Sequence, residues 1–438
     1  MSREFGRHVR GGPPASKKFD LDQPPMKARL YLMLPLWCLS FFMKLLHRGR
    51  LRKVGMEGIK PPYLLLCNHN SGYDYYVIFE SVFPHRAYYP SAVDDFISRE
   101  QLWRRLGTIP KRKYVADLSL VRRCWKILKQ GDIFVITPEA RYSLCGVTEL
   151  MPDAVGQMAR RMGVPVVTLK TCGHHIYDPF WGNRRRRWVA PMEAVMTRIY
   201  TAEEIKTAPP EEINAKIRAQ LRHDDFRWQS ENRVKVRYRK RAEGLHKPLY
   251  QCPHCLAEYR MQSQGARLFC GHCGKSWTLG IYGALSADCG ETEFQFATDW
   301  YQWEREQVRR EVRSGAYRLD CAVDVNDLPN PGGFVRMGRG RLVHNLDGFR
   351  LTGLRDYDGA PFEMHLPAAS QIAIHVEYSY RFGQYRDCID LTTMDDTRYC
   401  YPAGQDFSVT KVSLATEEIY VWLLDERQKQ KGRPYAQI

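Results

Sequence analysis

The sequence lacks an apolar run long enough to cross a bilayer as a regular helix. Residues 30–43 (LYLMLPLWCLSFFM) are almost wholly apolar, but the run contains Pro35 and is shorter than the ~20 residues that a spanning helix needs. Basic residues follow it where a secretory signal peptide would have its small-residue cleavage site, which argues against such a peptide. We expect an interfacial or partly inserted helix, peripheral or monotopic at the cytoplasmic face of a membrane. A buried core helix is the alternative.

The sequence also lacks a disulfide framework. Its 13 cysteines are odd in number and mostly scattered along the chain. This usage fits a reducing compartment better than an oxidising one.

Acidic residues are scarce in the first part of the chain. Residues 1–289 hold 48 Lys+Arg against 26 Asp+Glu, whereas residues 290–438 hold 18 against 23. The two parts therefore have separate tasks, and the basic one is expected to face an anionic partner. The basic run Arg184–Arg187 fits either a solvated turn or a contact with anionic lipid.

With 438 residues, the chain is long for one domain, so we expect several. Between about residues 60 and 240, short apolar strands alternate with helical patterns, which predicts an α/β domain with a largely parallel sheet. The predicted division is a disordered basic arm (1–25), a membrane-associating segment (26–53), the α/β domain (54–245), a zinc ribbon (246–285), a helical connector (286–316) and a β-rich C-terminal domain (317–438).

A histidine and an aspartate follow one of the predicted strands. The run Leu64–Cys67 predicts a buried strand, His69 falls in the next turn, and Asp74 falls just inside the following helix. A carboxylate there can hold one imidazole nitrogen while the other accepts a proton. The pair predicts a general base with the group that orients it, and no serine or cysteine is needed if the nucleophile belongs to the substrate. A His–Asp pair that only stabilises an ordinary turn is the alternative. Two other histidines, His174 and His175, have no further ligands beside them in the sequence, and we expect them on the polar surface.

Four stretches resemble, in order, the motifs of the glycerolipid acyltransferase family, whose best-known member is 1-acylglycerol-3-phosphate acyltransferase. They are Asn68–Asp74, Gly107–Arg112, Thr137–Ser143 and Gly163–Val167. The resemblance covers about residues 25–240. It implies direct transfer of an acyl group from acyl-CoA or acyl-carrier protein to the hydroxyl of a lysophospholipid, with His69 as the base and Asp74 as the group that orients it.

The third motif departs from the family pattern. Relatives have Glu-Gly-Thr-Arg-Ser, whereas residues 139–143 read EARYS, so the arginine comes one place early. The resemblance implies that Lys111, Arg112, Glu139 and Arg141 hold the acceptor, and a guanidinium suits a phosphate because its fork of donors engages two oxygens. A structural Glu139–Arg141 pair and a solvated basic turn are the alternatives. The resemblance favours 1-acylglycerol-3-phosphate as the acceptor, and the altered motif leaves another lyso-lipid open.

Two CxxC pairs predict a structural zinc ribbon. Fourteen residues separate the first pair from the second, and four thiolates close a tetrahedron without an open position for catalysis. A redox dithiol pair is the alternative. The four predicted ligands are Cys252, Cys255, Cys270 and Cys273.

The ribbon raises a rival from another functional class, a nucleic-acid or adaptor protein built on an inactive acyltransferase domain. The stretch Gln251–Trp277 is not unusually basic and carries no aromatic-basic recognition motif, so we expect no nucleic-acid partner.

The C-terminal part is predicted to be an all-β domain closed by a helix. Beyond about residue 317, period-two segments separated by turn signals precede a helical pattern over residues 411–427. A small barrel of the pleckstrin-homology type and a β-sandwich both fit this order. The acidic balance of the domain favours a protein partner over anionic lipid.

Overall fold

The structure is a computed structural model that describes residues 9–10, 19–115, 117–182, 191–380 and 386–430. Most of the predicted arm 1–25 and all of the basic run Arg184–Arg187 lie outside the described residues.

The first half of the chain forms a seven-stranded sheet in the order β2-β8-β7-β3-β6-β4-β5. Neighbouring strands are parallel except β7 and β8, which are antiparallel. The sheet is therefore mixed but largely parallel, in agreement with the predicted alternation of strands and helices. The strands are β2 (Arg50–Val54), β3 (Leu64–Cys67), β4 (Ala87–Ala92), β5 (Thr108–Lys111), β6 (Ile133–Ile136), β7 (Val166–Cys172) and β8 (Glu193–Tyr200).

Nine helices accompany this sheet in the described residues: α1 (Leu30–Leu46), α2 (Asp74–Val82), α3 (Glu100–Arg105), α4 (Leu118–Lys129), α5 (Ala154–Met162), α6 (His174–Tyr177), α7 (Ala202–Thr207), α8 (Pro210–Leu221) and α9 (Asp225–Glu231). Local sequence sets several boundaries. The Asp117 side chain caps α4 by accepting from the Leu120 N–H, and a Thr201–Glu204 capping box begins α7. Gly163 ends α5 in a left-handed conformation (φ 63°) that glycine adopts without strain.

Helix α1 contains the apolar run 30–43 and packs against α2. Met33 and Trp37 are buried, whereas most other large apolar side chains of α1 are exposed, including Phe42 at 59% and Leu45 at 79%. Among the described residues, no helix combines the length and hydropathy needed to cross a bilayer.

The middle of the chain contains a small antiparallel sheet and a long helix. The sheet has the order β12-β11-β10-β9. Of the four predicted zinc ligands, Cys252 and Cys255 precede its first strand, Cys270 ends the second strand and Cys273 lies between the second and third. Its elements are β9 (Met261–Gln264), β10 (Arg267–Cys270), β11 (Ser276–Leu279) and β12 (Leu285–Ala287), and helix α10 (Ala297–Ser314) follows.

The C-terminal part is an antiparallel sheet ending in a helix, as the sequence predicts. The strand order is β16-β15-β14-β13-β19-β18-β17, and the N-terminal strand β1 (Val9–Arg10) adds to β14 in parallel. The resemblance to a pleckstrin-homology barrel stays a prediction. The elements are β13 (Leu319–Asn330), β14 (Gly333–Asn345), β15 (Gly348–Leu354), β16 (Pro361–Pro367), β17 (His375–Glu377), β18 (Cys388–Thr392), β19 (Thr397–Pro402) and α11 (Val409–Gln430).

Three groups of buried apolar side chains hold these parts together. One fills the α/β domain, and a second runs without interruption through the small sheet, α10 and the C-terminal sheet. The third lies between the two halves, where Val93, Phe96 and Ile97 after β4 pack on side chains such as Phe334 and Tyr399. The C-terminal sheet therefore rests directly on the carboxyl-end side of β4 and β5.

Candidate active site

His69 and Asp74 lie at the carboxyl end of β3, where a parallel sheet usually gathers its ligand-binding groups. His69 is in the turn and Asp74 is the first residue of α2. The imidazole Nδ1 is 3.2 Å from the Asp74 Oδ2, and both side chains are largely buried. The Nε2 atom of His69 makes no hydrogen bond with another described residue and is left for a substrate. This is the arrangement that the motif predicted.

Asp74 is held by more groups than His69. Its Oδ2 also accepts the backbone N–H groups of Asn70 (2.6 Å) and Ser71 (3.0 Å), and its Oδ1 accepts from His174 Nδ1 at 2.6 Å. Burial by itself would raise the pKa of Asp74, but the hydrogen bonds from His174 and His69 hold that pKa well below its ordinary value. Asp74 is therefore a carboxylate at neutral pH. The Asn70 and Ser71 N–H groups are committed to it and are not available to an oxyanion.

The turn that carries His69 is fixed to β7. Asn68 donates to the Thr171 carbonyl at 2.9 Å, and its own amide oxygen accepts from the Thr171 N–H at 2.8 Å. Asn70 donates to the same carbonyl at 3.1 Å. These buried bonds explain why Asn flanks the histidine on both sides.

The third-motif loop holds His69 from the other side. The backbone N–H of Ser143 donates to the His69 carbonyl at 2.8 Å, and the Tyr142 ring lies over the imidazole with 4.0 Å between centroids. Ala140 adopts a left-handed conformation (φ 56°) where the family pattern has glycine. The changed motif therefore places an aromatic ring against His69.

A cavity of about 190 Å³ opens beside His69. The predicted acceptor ligands Lys111, Arg112 and Arg141 contribute to its wall, and Glu139 does not. The ammonium of Lys111 makes no hydrogen bond or ion pair with any described residue. The structure thus places His69 and three of the four predicted acceptor ligands at one cavity.

Arg112 and Arg141 are already bound by the C-terminal domain. Arg112 donates from Nη1 to the Thr397 hydroxyl at 2.7 Å and from Nη2 to a backbone carbonyl. Arg141 forms buried ion pairs with Glu149 (2.7 Å) and with Glu417 of α11. Neither the sequence spacing nor the motif indicated the partners in the C-terminal domain, because those lie more than 200 residues away in the chain.

Glu139 has a structural contact inside the loop. Its Oε2 accepts from the Glu149 N–H at 3.0 Å, and burial raises the pKa of Glu139 well above its usual range. Through this bond Glu139 fixes the loop and does not reach the cavity. The structural Glu139–Arg141 pair weighed in the sequence analysis is replaced by the pair of Arg141 with Glu149.

His174 and His175 are not on the surface, so that expectation was wrong. Both are fully buried at the end of β7. His174 binds Asp74, and His175 accepts from the indole N–H of Trp181 at 3.2 Å while its backbone N–H donates to Asp225 at 2.8 Å. The only sequence signal for this placement was that both residues follow a strand of the parallel sheet, as His69 does.

The four cysteines of the CxxC pairs converge in space. The Cys252 and Cys273 sulfur atoms are 3.8 Å apart, as are those of Cys255 and Cys270, and all four lie within 4.8 Å of one another. Sulfur atoms at the corners of a tetrahedron with Zn–S bonds of ~2.3 Å are separated by about 3.8 Å. The cluster therefore has the donor set and the spacing that suit zinc.

Comparison with known proteins agrees with the motifs. Residues 50–171, from β2 into β7, match the family model described as Acyltransferase. The four motifs of this part of the chain resemble those of the glycerolipid acyltransferases. A similar solved structure is the crystal structure of the 1-acyl-sn-glycerophosphate (LPA) acyltransferase PlsC from Thermotoga maritima, with 15% identity, a TM-score of 0.33, and coverage of 44% of this chain and 79% of that one. Comparison with the curated proteins gave no match.

Proposed function

We propose that the protein transfers an acyl group from acyl-CoA or acyl-carrier protein to the hydroxyl of a lysophospholipid in phospholipid biosynthesis. The observation that carries this proposal is His69, whose Nδ1 is held by a buried carboxylate while its Nε2 is left for a substrate in the adjoining cavity. The motifs favour 1-acylglycerol-3-phosphate as the acceptor, and another lyso-lipid is the alternative.

The chemistry needs no nucleophile from the protein. His69 Nε2 removes the proton from the acceptor hydroxyl as its oxygen attacks the thioester carbonyl carbon. The tetrahedral intermediate then collapses, the C–S bond breaks, and the thiolate takes the proton from the imidazolium. Asp74 stabilises the imidazolium and fixes the tautomer that leaves Nε2 unprotonated in the resting enzyme.

The exposed face of α1 supports a membrane location. Phe42 and Leu45 are among its exposed apolar residues, and basic residues such as Arg50 and Lys53 follow the helix. An apolar face with basic flanks binds the interface of an anionic bilayer. We propose a peripheral or monotopic protein at the cytoplasmic face, where the lysolipid acceptor is available.

The four-cysteine cluster supports a structural zinc ion. Four protein thiolates would leave no position for a substrate, so the ion would stabilise the small sheet and take no part in acyl transfer. The sheet shares its core with α10 and the C-terminal domain.

The test is transfer of labelled acyl groups from acyl-CoA and acyl-carrier protein to a panel of lysolipids. We expect His69→Ala to abolish transfer and His365→Ala to retain it, since His365 is an exposed histidine on β16. Activity that survives His69→Ala would overturn the mechanism. Absence of transfer with every donor and acceptor would favour the binding-protein alternative.

A further inference from the structure

The wall of the acceptor cavity comes from two domains. The α/β domain contributes His69 and the second-motif residues, and the C-terminal domain contributes His375 and Glu377 of β17. The charges of both domains therefore decide what the cavity binds.

Arg141 has no terminal N–H group left for a ligand. Its Nη2 donates to Glu149 and Glu417, and its Nη1 donates to the Ser413 hydroxyl and the Ile374 carbonyl. The side chain is 2% exposed. A phosphate that took this guanidinium would remove one of the two arginines that balance Glu149 and Glu417 in the protein interior, which is unfavourable.

Lys113 is compensated in the same way. Its ammonium lies 2.9 Å from Glu377, 2.9 Å from Asp390 and 3.2 Å from Asp94. Two of these three carboxylates belong to the C-terminal sheet. The Lys113 ammonium lies between these carboxylates, so the cation bound by the cluster of Glu377, Asp390 and His375 is a lysine of the protein itself.

Arg112 is engaged through both terminal nitrogens and is 3% exposed. Its charge is also balanced by its surroundings: burial lowers its pKa, while the nearby Asp396 and Asp327 oppose that shift. Of the cations named by the motifs, Lys111 alone lines the cavity without a hydrogen bond or an ion pair to a described residue.

The charge of Asp117 acts on Lys111, and further carboxylates lie in the wall of the cavity. Asp94, Asp95 and Glu377 all line the same cavity. A phosphate monoester carries about −1.5 to −2 at pH 7, which one lysine cannot balance when Lys113 is already paired with Asp94 and Glu377. A phosphodiester carries a single negative charge, which Lys111 can balance.

We propose that the acceptor is a lysophospholipid with a phosphodiester headgroup, bound through Lys111, and that the C-terminal domain excludes the phosphate monoester by neutralising Lys113 and Arg141. This inference rests on the proposed acyltransferase function and replaces 1-acylglycerol-3-phosphate as its preferred acceptor.

The first test compares acceptors that share one acyl chain, using the intact protein and one donor. They are 1-acylglycerol-3-phosphate, the glycerol and ethanolamine phosphodiesters of the same lysolipid, and uncharged 1-acylglycerol. We expect kcat/KM for a phosphodiester to exceed that for the monoester by about tenfold or more, equivalent to ~1.4 kcal/mol. Equal or better use of the monoester would overturn the inference while leaving the proposed function intact. Absence of transfer to all four acceptors would instead refute the function.

Two variants then test the assignment of residues. Lys111→Gln should lower kcat/KM for the phosphodiester more than for uncharged 1-acylglycerol, and Lys126→Gln, an exposed lysine of α4, should leave that ratio unchanged. Glu377→Gln should raise use of the monoester relative to the phosphodiester, because one carboxylate is removed from the cavity. An unchanged ratio in Lys111→Gln would overturn the role of this lysine. The ranking of acceptors by the unmodified protein stands whether or not these variants fold.

Discussion

Replacing Arg141 tests whether this arginine is part of the protein interior. In Arg141→Met, Glu149 and Glu417 lose a shared buried partner. Removing one partner of a buried pair costs about 3–5 kcal/mol because the other charge is left uncompensated. Arg305 remains 2.6 Å from Glu417 and 3.5 Å from Glu149, so we expect the lower end of that range, about 3 kcal/mol of unfolding free energy.

The measurement is urea unfolding followed by circular dichroism, with a double-mutant cycle. The double variant Arg141→Met/Glu417→Gln also removes the carboxylate that the single variant leaves without Arg141. Its loss of unfolding free energy should therefore be smaller than the sum of the two single losses, with a coupling of at least about 1 kcal/mol. The matched control is Arg350→Met, whose pair with Glu363 is exposed, and it should cost under about 1 kcal/mol. Additive losses, or a loss in Arg141→Met no larger than in the control, would refute a structural role for Arg141.

Further predictions concern the base, the loop, a buried histidine and the metal. His174→Ala should shift the acid limb of the pH profile of kcat/KM, because Asp74 loses the 2.6 Å hydrogen bond from His174. His174→Asn keeps a hydrogen-bond donor near Asp74 and should restore part of that pH profile. Ala140→Gly should raise the unfolding free energy by about 1 kcal/mol in urea titrations, because glycine adopts a positive φ without strain. Burial lowers the pKa of His344 to about 3. The stability that the neutral imidazole contributes is therefore present above the unfolded pKa near 6.5 and is lost as the pH falls towards 3. In His344→Gln the unfolding free energy, measured from pH 7 to 4, should depend less steeply on pH. Metal analysis of the untreated protein should give one zinc ion per chain. Removing that zinc with a chelator should lower the melting temperature of the protein.

The features that sequence predicted are local ones. The apolar run Leu64–Cys67 is a buried strand, and the helical pattern over residues 411–427 lies within α11. His69 and Asp74 are five positions apart, so one turn brings them together. The CxxC spacing likewise sets the sulfur cluster by local geometry.

The features that sequence did not predict depend on distant contacts. Arg141 meets Glu417, 276 positions later, and Lys113 meets Asp390, 277 positions later. A motif shows that a cation is present but not whether another domain has neutralised it. His174 was misplaced for the same reason, since only the folded sheet brings the ends of β3 and β7 together.

The ion pairs between the α/β domain and the C-terminal domain have a consequence for experiments on fragments of this chain. A fragment ending near residue 245 would retain every motif of its family, yet Arg112, Lys113 and Arg141 would lose their partners from the C-terminal domain. Such a fragment would present a cation-rich pocket that the whole protein does not have. The substrate preference of such a fragment would therefore differ from that of the whole protein.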